Sequence, residues 1–484
     1  MKDFDVIVIG TGIGGLTCAG LLASKGIKVL ALEKNPNPGG YLSSFNRGGF
    51  RFDSSVDCFS GLDEKGAIKF VLKSLEVENE ISLVRVDPIR ESLFPGIAIS
   101  VDKDINIYIE NLKALFPLEK KGINDFFHAM TELYKDISGL AETLLYEKKD
   151  ELKIPTTLLK YTNKTYGNLL DEFIKKEERL KAVLSDRCPF LGLPPSKVSA
   201  VNMCALLMSY FESGAYRVIG GSQKLLDILV KGIKKKGGNI LFKKEVSRIF
   251  LEKNRVIGVR TSDGIDYTSE NVVSNVDYLQ TFSRLLNENS SIDVKKMLNN
   301  PGISRSFFIL YIGTDLNLKK IGKSSSIGFF PSFDMESFFE PINFFEDSSS
   351  LGITIPTLLD NTIAPSGCHI ISAHEMVDYS YTDSWQKKKH ELTEKVLKKV
   401  EKILPGIKNN IIHLESATPT TLERFTSNFR GAAYGWQQIR AKKTFKNEIN
   451  NLYIAGHWGE TGGGVLASAY SGLKAARSII KKIT

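Results

Sequence analysis

Asp5-Val-Ile-Val-Ile-Gly-Thr-Gly-Ile-Gly-Gly15, then Leu16 to Lys25, then Lys28-Val-Leu-Ala-Leu-Glu33-Lys34, is the stretch from which the rest of the chain is read. Val6 to Ile9 is a near-continuous apolar run, as a strand buried on both faces requires. Gly10, Gly12 and Gly15 give G-x-G-x-x-G directly ahead of Leu16, Ala19, Leu22 and Ala23, which repeat at helical spacing. Gly26 closes that helix, and Val29 to Leu32 reads as a second buried strand. Glu33 stands at its end, roughly 20 residues past the glycines, where a carboxylate accepts hydrogen bonds from a ribose. The glycines serve a turn, the approach of backbone to a pyrophosphate, and close helix–strand contact, while the helix N-terminus offers unpaired N–H groups to the diphosphate. Strand, helix, second strand and acid all fall in register within about 30 residues, which a chance glycine motif does not achieve. The expectation is an adenine dinucleotide held by Gly10, Gly12, Ile13, Gly14, Gly15, Glu33 and Lys34.

Runs further along the chain select the dinucleotide. Gly39-Gly40-Tyr41 and Gly49-Phe-Arg-Phe-Asp53 come next, and Ala417-Thr-Pro-Thr-Thr421 and Arg424-Phe-Thr-Ser-Asn-Phe-Arg-Gly431 come late. With Leu115-Phe-Pro-Leu-Glu119 and Leu191-Gly-Leu-Pro-Pro195, these runs resemble the flavoprotein group of phytoene desaturases, carotenoid isomerases and retinol saturases, within the wider amine-oxidase-like superfamily. The resemblance is closest over residues 5 to 60 and 417 to 480 and weakest over 290 to 410. It implies FAD, with Gly40 and Tyr41 beside the diphosphate and Val246 meeting the adenine through its backbone. Many relatives carry a basic residue where this chain has Tyr41.

The chain has 484 residues, 42% of them hydrophobic, which suits two or three domains. Five scattered cysteines with no C-x-x-C pair suggest neither disulfides nor a metal site, and no bound metal is expected. No signal peptide is read at the N-terminus, and no apolar run reaches the about 18 residues that span a bilayer. The expected location is the cytoplasm, peripheral at the inner face of the membrane. The net charge of +9 is spread out, and Lys231 to Lys236 and Lys387 to Lys399 lie on amphipathic segments that read as solvated helix faces. No nucleic-acid-binding signature accompanies the charge.

Ile81 to Val86, Ile97 to Val101 and Ile105 to Ile109 read as strands, and Leu112 to about Tyr210 as a helical cap with Leu158, Leu159, Tyr161 and Tyr166 exposed toward a membrane. A helix from Gln223 to Lys235 and strands at 237–242, 246–250, 255–260 and 271–275 return to the nucleotide domain. Phe329, Phe330, Phe333, Phe338, Phe339, Phe344 and Phe345 read either as core or as the wall of an apolar tunnel. Near the end, Leu452 to Ala455 is a buried strand, and Gly456-His-Trp-Gly-Glu-Thr-Gly-Gly-Gly464-Val465 opens a helix rich in small residues. Gly456, His457, Gly463, Gly464 and Val465 are therefore expected at the isoalloxazine, where the helix N-terminus favours negative charge.

The expected fold is α/β: a Rossmann-like FAD-binding domain in discontinuous segments (1–84, 215–289 and 426–484), a mixed-sheet substrate domain (85–113 and 290–425) and an inserted helical cap (114–214). The resemblance implies an FAD-dependent oxidoreductase working on carbon–carbon bonds of a lipophilic, conjugated substrate, free or carrier-bound. Desaturation, saturation and cis–trans isomerisation by hydride exchange with flavin N5 all stay open. A flavin amine oxidase, with Trp458 in an aromatic pair, is one alternative, and a flavin-free binder of lipidated proteins is another. Asp57 and His457 are the candidate catalytic residues, Asp57 as a proton donor or acceptor in an apolar pocket floored by the flavin.

Overall fold

Five parallel strands carry the nucleotide end of the protein, and they come from three separated parts of the chain. In spatial order they are Leu452–Ile454, Val272–Ser274, Val6–Ile9, Val29–Leu32 and Asn239–Leu241. The computed structural model describes residues 2–146, 155–286, 302–318, 324–439 and 449–483. The expected boundary at 289/290 lies outside them.

The helix Ile13–Ser24 is buried on nearly every side, because helices Gln223–Lys235 and Val465–Ile483 pack on it as well as the sheet. Small residues make that crossing close. A Cβ built on Gly472 would lie 2.0 Å from the Gly14 carbonyl oxygen and 2.4 Å from Thr17 Oγ1. Backbone cannot yield to relieve such a clash, so Gly472→Ala is expected to lower the unfolding free energy by about 2–3 kcal/mol. Gly139→Ala, inside the helix Lys120–Tyr146 with no described atom within 4 Å of the new methyl, is expected to be neutral or to gain up to about 1 kcal/mol. Urea midpoints of the two variants check the contrast.

A seven-stranded mixed sheet forms the second layer, in the order Ile411–Ala417, Ser306–Thr314, His369–Val377, Leu351–Thr354, Ser326–Phe329, Arg90–Phe94 and Ile97–Val101. Ser326–Phe329 runs parallel to Arg90–Phe94 and the other pairs are antiparallel. Helix Trp385–Ile403 covers one face with Leu392, Val396, Val400 and Ile403. Its lysines are mostly solvated, as expected, but Lys399 turns inward and pairs with Glu375 and Ser349.

Helices Ile105–Leu115, Lys120–Tyr146, Tyr166–Phe173, Glu178–Leu184 and Ala200–Glu212 share a core of their own. Ile105 to Ile109 therefore belongs to a helix, not a strand. Asp104 caps it by accepting from the Asn106 N–H at 2.8 Å, and Ile105, Tyr108 and Leu112 give helical spacing beneath the apparent alternation. The strand Arg90–Phe94 escaped the sequence reading because two of its buried positions are Arg90 and Ser92. Ile81 to Val86 contributes only Leu83–Arg85, paired to Tyr216–Val218 rather than to the large sheet. Tyr161 and Tyr166 are fully buried, so of the four expected membrane-facing residues only Leu159 is exposed. Among the described residues no helix is long and apolar enough to cross a membrane.

Candidate cofactor groove and substrate cavity

The groove begins where the parallel strands end. Gly10 leaves the first strand with φ +90°, a left-handed turn open to glycine, and Gly12 precedes the helix with extended backbone. Among the described residues no side chain caps that helix and no acid stands in its first turn, so its positive end faces the groove unneutralised. Glu33 is locked in place: its Oε2 accepts from the Thr11 N–H at 2.9 Å and the Thr11 hydroxyl at 2.8 Å, and its Oε1 from the Asn35 N–H at 2.9 Å. Oε1, with a single donor, keeps capacity for a further one. Lys34, Gly40, Tyr41, Lys244, Glu245 and Val246 continue the lining. Lys34 donates to the Arg424 carbonyl and to Ser427 Oγ, and burial pulls its ammonium pKa down. The Tyr41 hydroxyl bonds the carbonyls of Gly431 and Ala432, both at 3.0 Å.

A residue overlooked in the sequence sits at the centre. Built Cβ atoms on Gly12, Gly14 and Gly456 would come within 2.9, 2.6 and 2.5 Å of the Asn275 side chain. Asn275 thus joins the first glycine loop to the last one, and its backbone N–H donates to Ile9 O at 2.9 Å. The available signal was a polar residue at the carboxyl end of a buried parallel strand. Open space lies instead beside Gly40, whose built Cβ meets only Gly12 Cα among the described atoms, at 3.9 Å, and beside Gly464, whose built Cβ meets no described atom within 4 Å; together with the helix terminus and Glu33 this groove fits an adenine dinucleotide. At the far end the groove meets His457, Gly464 and Val465. The terminal helix Val465–Ile483 starts there, with the first-turn N–H groups that any helix leaves unpaired.

A second cavity of about 1040 Å³ lies between the cap and the seven-stranded sheet. It shares Ser55, Val56, Phe307, Tyr434, Gly464 and Val465 with the groove, so the two spaces meet at one wall. Leu206, Phe190, Phe330, Ile353 and Met376 make it largely apolar, and Leu140, Leu144 and Leu158 of the cap lie along it. The phenylalanine cluster divides accordingly. Phe330 lines the cavity, while Phe338 and Phe339 pack in the cap core and Phe344 and Phe345 under helix Trp385–Ile403. Tyr434, just past the Arg424-to-Gly431 run, was also overlooked; its ring packs edge-on to Phe307 at 6.2 Å.

Asp57 lines the cavity, but not in the apolar setting expected of it. Its Oδ1 is 3.3 Å from Arg217 Nη1, and Arg217 also holds Asp53 at 2.9 Å. His457 lines the groove, with its Nε2 2.9 Å from Asn428 Oδ1 and its ring 5.9 Å from Tyr41. Trp458 faces neither space. It is buried edge-on against Trp436 at 5.0 Å and donates to Asn428 Oδ1 at 2.7 Å, so it forms no part of an aromatic pair at the site. Gly463 packs against Tyr434, its built Cβ 2.6 Å from the tyrosine carbonyl oxygen.

His374 faces the cavity with its ring edge-on to Phe307, and burial lowers its pKa to about 4. A base with a depressed folded pKa binds fewer protons folded than unfolded between that value and its ordinary 6.5. Its contribution to stability is therefore present above pH 6.5 and is lost as pH falls toward about 4. His374→Gln is expected to remove on the order of 2 kcal/mol of that acid-side loss, measured as a flatter pH dependence of the urea midpoint.

Among the described residues no cluster of histidine, cysteine and acids has metal-binding geometry, and the five cysteines are free.

Residues 8–75 match the family model of the NAD(P)-binding Rossmann-like domain. Prolycopene isomerase 1 of an Oncidium hybrid cultivar is 27% identical over 99% of this chain and 84% of its own length. The neurosporene-forming phytoene desaturase of Rhodobacter capsulatus is 26% identical over 98% and 93%, and the all-trans-retinol 13,14-reductase of Danio rerio 24% over 94% and 82%. Among solved structures, an oxidoreductase from Methanosarcina mazei superposes with TM-score 0.66 at 19% identity, covering 99% of this chain and 100% of its own. A putrescine oxidase variant reaches 0.64 at 14% identity, with 99% of each chain covered. A Rab GDI from Plasmodium falciparum reaches 0.54 at 14%, over 86% and 88%. Amine oxidases and a Rab GDI thus share the fold, so the fold alone does not choose among the readings, whereas the full-length sequence relatives agree with one another. Over nearly its full length the chain is similar to prolycopene isomerases, phytoene desaturases and retinol reductases.

Proposed function

We propose that the chain holds FAD along the groove and acts on carbon–carbon bonds of a lipophilic, conjugated molecule lying in the adjoining cavity, by desaturation, saturation or cis–trans isomerisation. The observation that carries this reading is the common wall of Ser55, Val56, Phe307, Tyr434, Gly464 and Val465, where a largely apolar cavity of about 1040 Å³ adjoins the groove. The flavin, when bound, supplies hydride exchange at its N5.

The protein's own residues bind and orient. Glu33 accepts from the adenosine ribose, the backbone of Val246 meets the adenine, and Gly10 to Gly15 with the following helix terminus hold the diphosphate. Gly464 and Val465, at the start of the terminal helix, would hold the ring, and the helix N-terminus would favour negative charge on it. Phe307, Phe330 and Met376 hold the substrate by apolar contact and keep water from the reacting carbons. Asp57 and His457 are the groups available to hold a proton near the common wall. The supporting residues are hydrogen-bonded neighbours rather than a poised strong base. We assign the protein to the cytoplasm, peripheral at the membrane surface, because its substrate is lipophilic and the cavity runs along the cap. Flotation with anionic liposomes tests that assignment.

A visible absorption spectrum of the purified protein tests the cofactor. A bound, extractable FAD is expected; a colourless protein that cannot be reconstituted with FAD would overturn the reading.

A further inference from the structure

His457 lines the groove, and its two ring nitrogens are not equivalent there. Nε2 lies 2.9 Å from Asn428 Oδ1. On distance alone that contact fits either proton arrangement, because a neutral imidazole donates at one nitrogen and accepts at the other. An asparagine amide likewise presents an acceptor or a donor, depending on which way it is turned. A third residue removes both ambiguities. Trp458 Nε1 lies 2.7 Å from the same Asn428 Oδ1, and an indole N–H can only donate. The amide oxygen must therefore face Trp458, since the reversed amide would set two N–H donors against each other in the core. With its oxygen so placed, Asn428 can only accept from His457, and Nε2 carries the proton.

The surrounding structure holds the three residues in this order. Trp458 is buried edge-on against Trp436 at 5.0 Å, and its carbonyl accepts from Trp436 Nε1 at 3.2 Å. Asn428 is buried as well, and the backbone on both sides of it is tied to residues just past the strand Val272–Ser274. The Ser427 carbonyl accepts from Gln280 Nε2, and the Phe429 N–H donates to Asp277 Oδ2. The Cδ2 edge of the imidazole packs on Gly435, whose built Cβ would stand 3.3 Å from that carbon.

We propose that Asn428 is a positioning residue for the groove and that Trp458, which lines neither groove nor cavity, sets it. Together they keep a proton on His457 Nε2 in the neutral and the charged ring alike. Proton uptake and release at His457 therefore pass through Nδ1 alone, and the neutral ring offers an acceptor, not a donor, at that atom. The bearing of this order on the reaction rests on the reading of the groove as the cofactor site, whereas the tautomer itself does not.

The chain has six histidines, few enough to follow singly by nitrogen NMR of protein labelled in its imidazoles. Long-range proton–nitrogen spectra are recorded with and without FAD, and His457 is assigned by its loss in His457→Gln. On the alkaline side of the ring's titration, wild type is expected to show one neutral tautomer, protonated on Nε2. Trp458→Phe deletes the donor that orients the amide, so the Nδ1-protonated form is expected to rise at least about tenfold. Adding Asn428→Asp to Trp458→Phe is expected to restore the single tautomer, because a carboxylate accepts whichever way it is turned. A variant that merely loosened the fold would not be rescued in this way. Asn428→Asp alone keeps both donors satisfied and serves if neither Trp458 variant folds. It is expected to leave the proton on Nε2 and to raise the pH at which the ring titrates, through the charge added beside it. A wild-type ring protonated on Nδ1, or a mixture of tautomers, overturns the proposal. So does a Trp458→Phe spectrum identical to wild type, or a titration that Asn428→Asp does not move. If wild type shows the Nε2 form but binds no FAD, the cofactor reading falls and the proton order within the protein stands.

Discussion

Gly12→Val is expected to give a folded, colourless protein whose affinity for FAD is reduced by at least about 100-fold, or ~2.7 kcal/mol. The backbone at Gly12 has φ −65° and ψ 170°, which valine adopts without strain, so the effect is one of space. A Cβ there would stand 2.9 Å from Asn275 Nδ2, and the valine methyl groups would crowd Asn275 and the groove that Gly12 lines, where the proposed cofactor lies. Equilibrium dialysis with FAD, alongside circular dichroism of the apo-protein, separates lost binding from lost folding. A yellow Gly12→Val protein with unchanged FAD content would show that the groove is not the cofactor site.

Gly352→Phe should have the opposite signature: flavin kept, turnover lost. Gly352 lies in the strand Leu351–Thr354 and lines the cavity. Among the described residues a Cβ there meets only His374, at 3.8 Å or more, so a larger side chain enters open space. A phenyl ring in that space displaces an extended substrate from the common wall. Misplacement on the scale of an ångström is expected to lower kcat/KM on the order of 100-fold, with the flavin spectrum unaltered. Steady-state kinetics with a conjugated lipophilic substrate checks it, and full activity in this variant would place the substrate elsewhere.

The nucleotide half was readable because its physics is local. Val6–Ile9, the glycines and Val29–Leu32 follow one another with the periodicities that buried strands and a close-packed helix require, and Gln223–Lys235 shows its apolar stripe plainly. The terminal strand and helix at Leu452–Ile454 and Val465–Ile483 were legible for the same reason. What was missed depends on partners distant in the chain. Arg90 and Ser92 hide a strand because their burial is made possible by Asp186 and Gly328. Asn275 becomes central only when Gly12, Gly14 and Gly456 converge on it. Asp57 was placed beside the cavity, but its partner Arg217 lies 160 residues away and no sequence pattern joins them. Trp458, named for the aromatic pair of the amine-oxidase alternative, is drawn into the core by Trp436 and Asn428.

The central claim is that groove and cavity form one reaction site for carbon–carbon bond chemistry. The most direct measurement incubates the FAD-loaded protein without oxygen with a conjugated polyene, reducing the flavin in one arm and leaving it oxidised in another, and analyses the recovered lipid by chromatography and mass spectrometry. The expected product differs from the substrate in double-bond geometry or by two hydrogens, and its formation depends on the flavin. Unchanged polyene in both arms, with an amine bleaching the flavin instead, would contradict the claim.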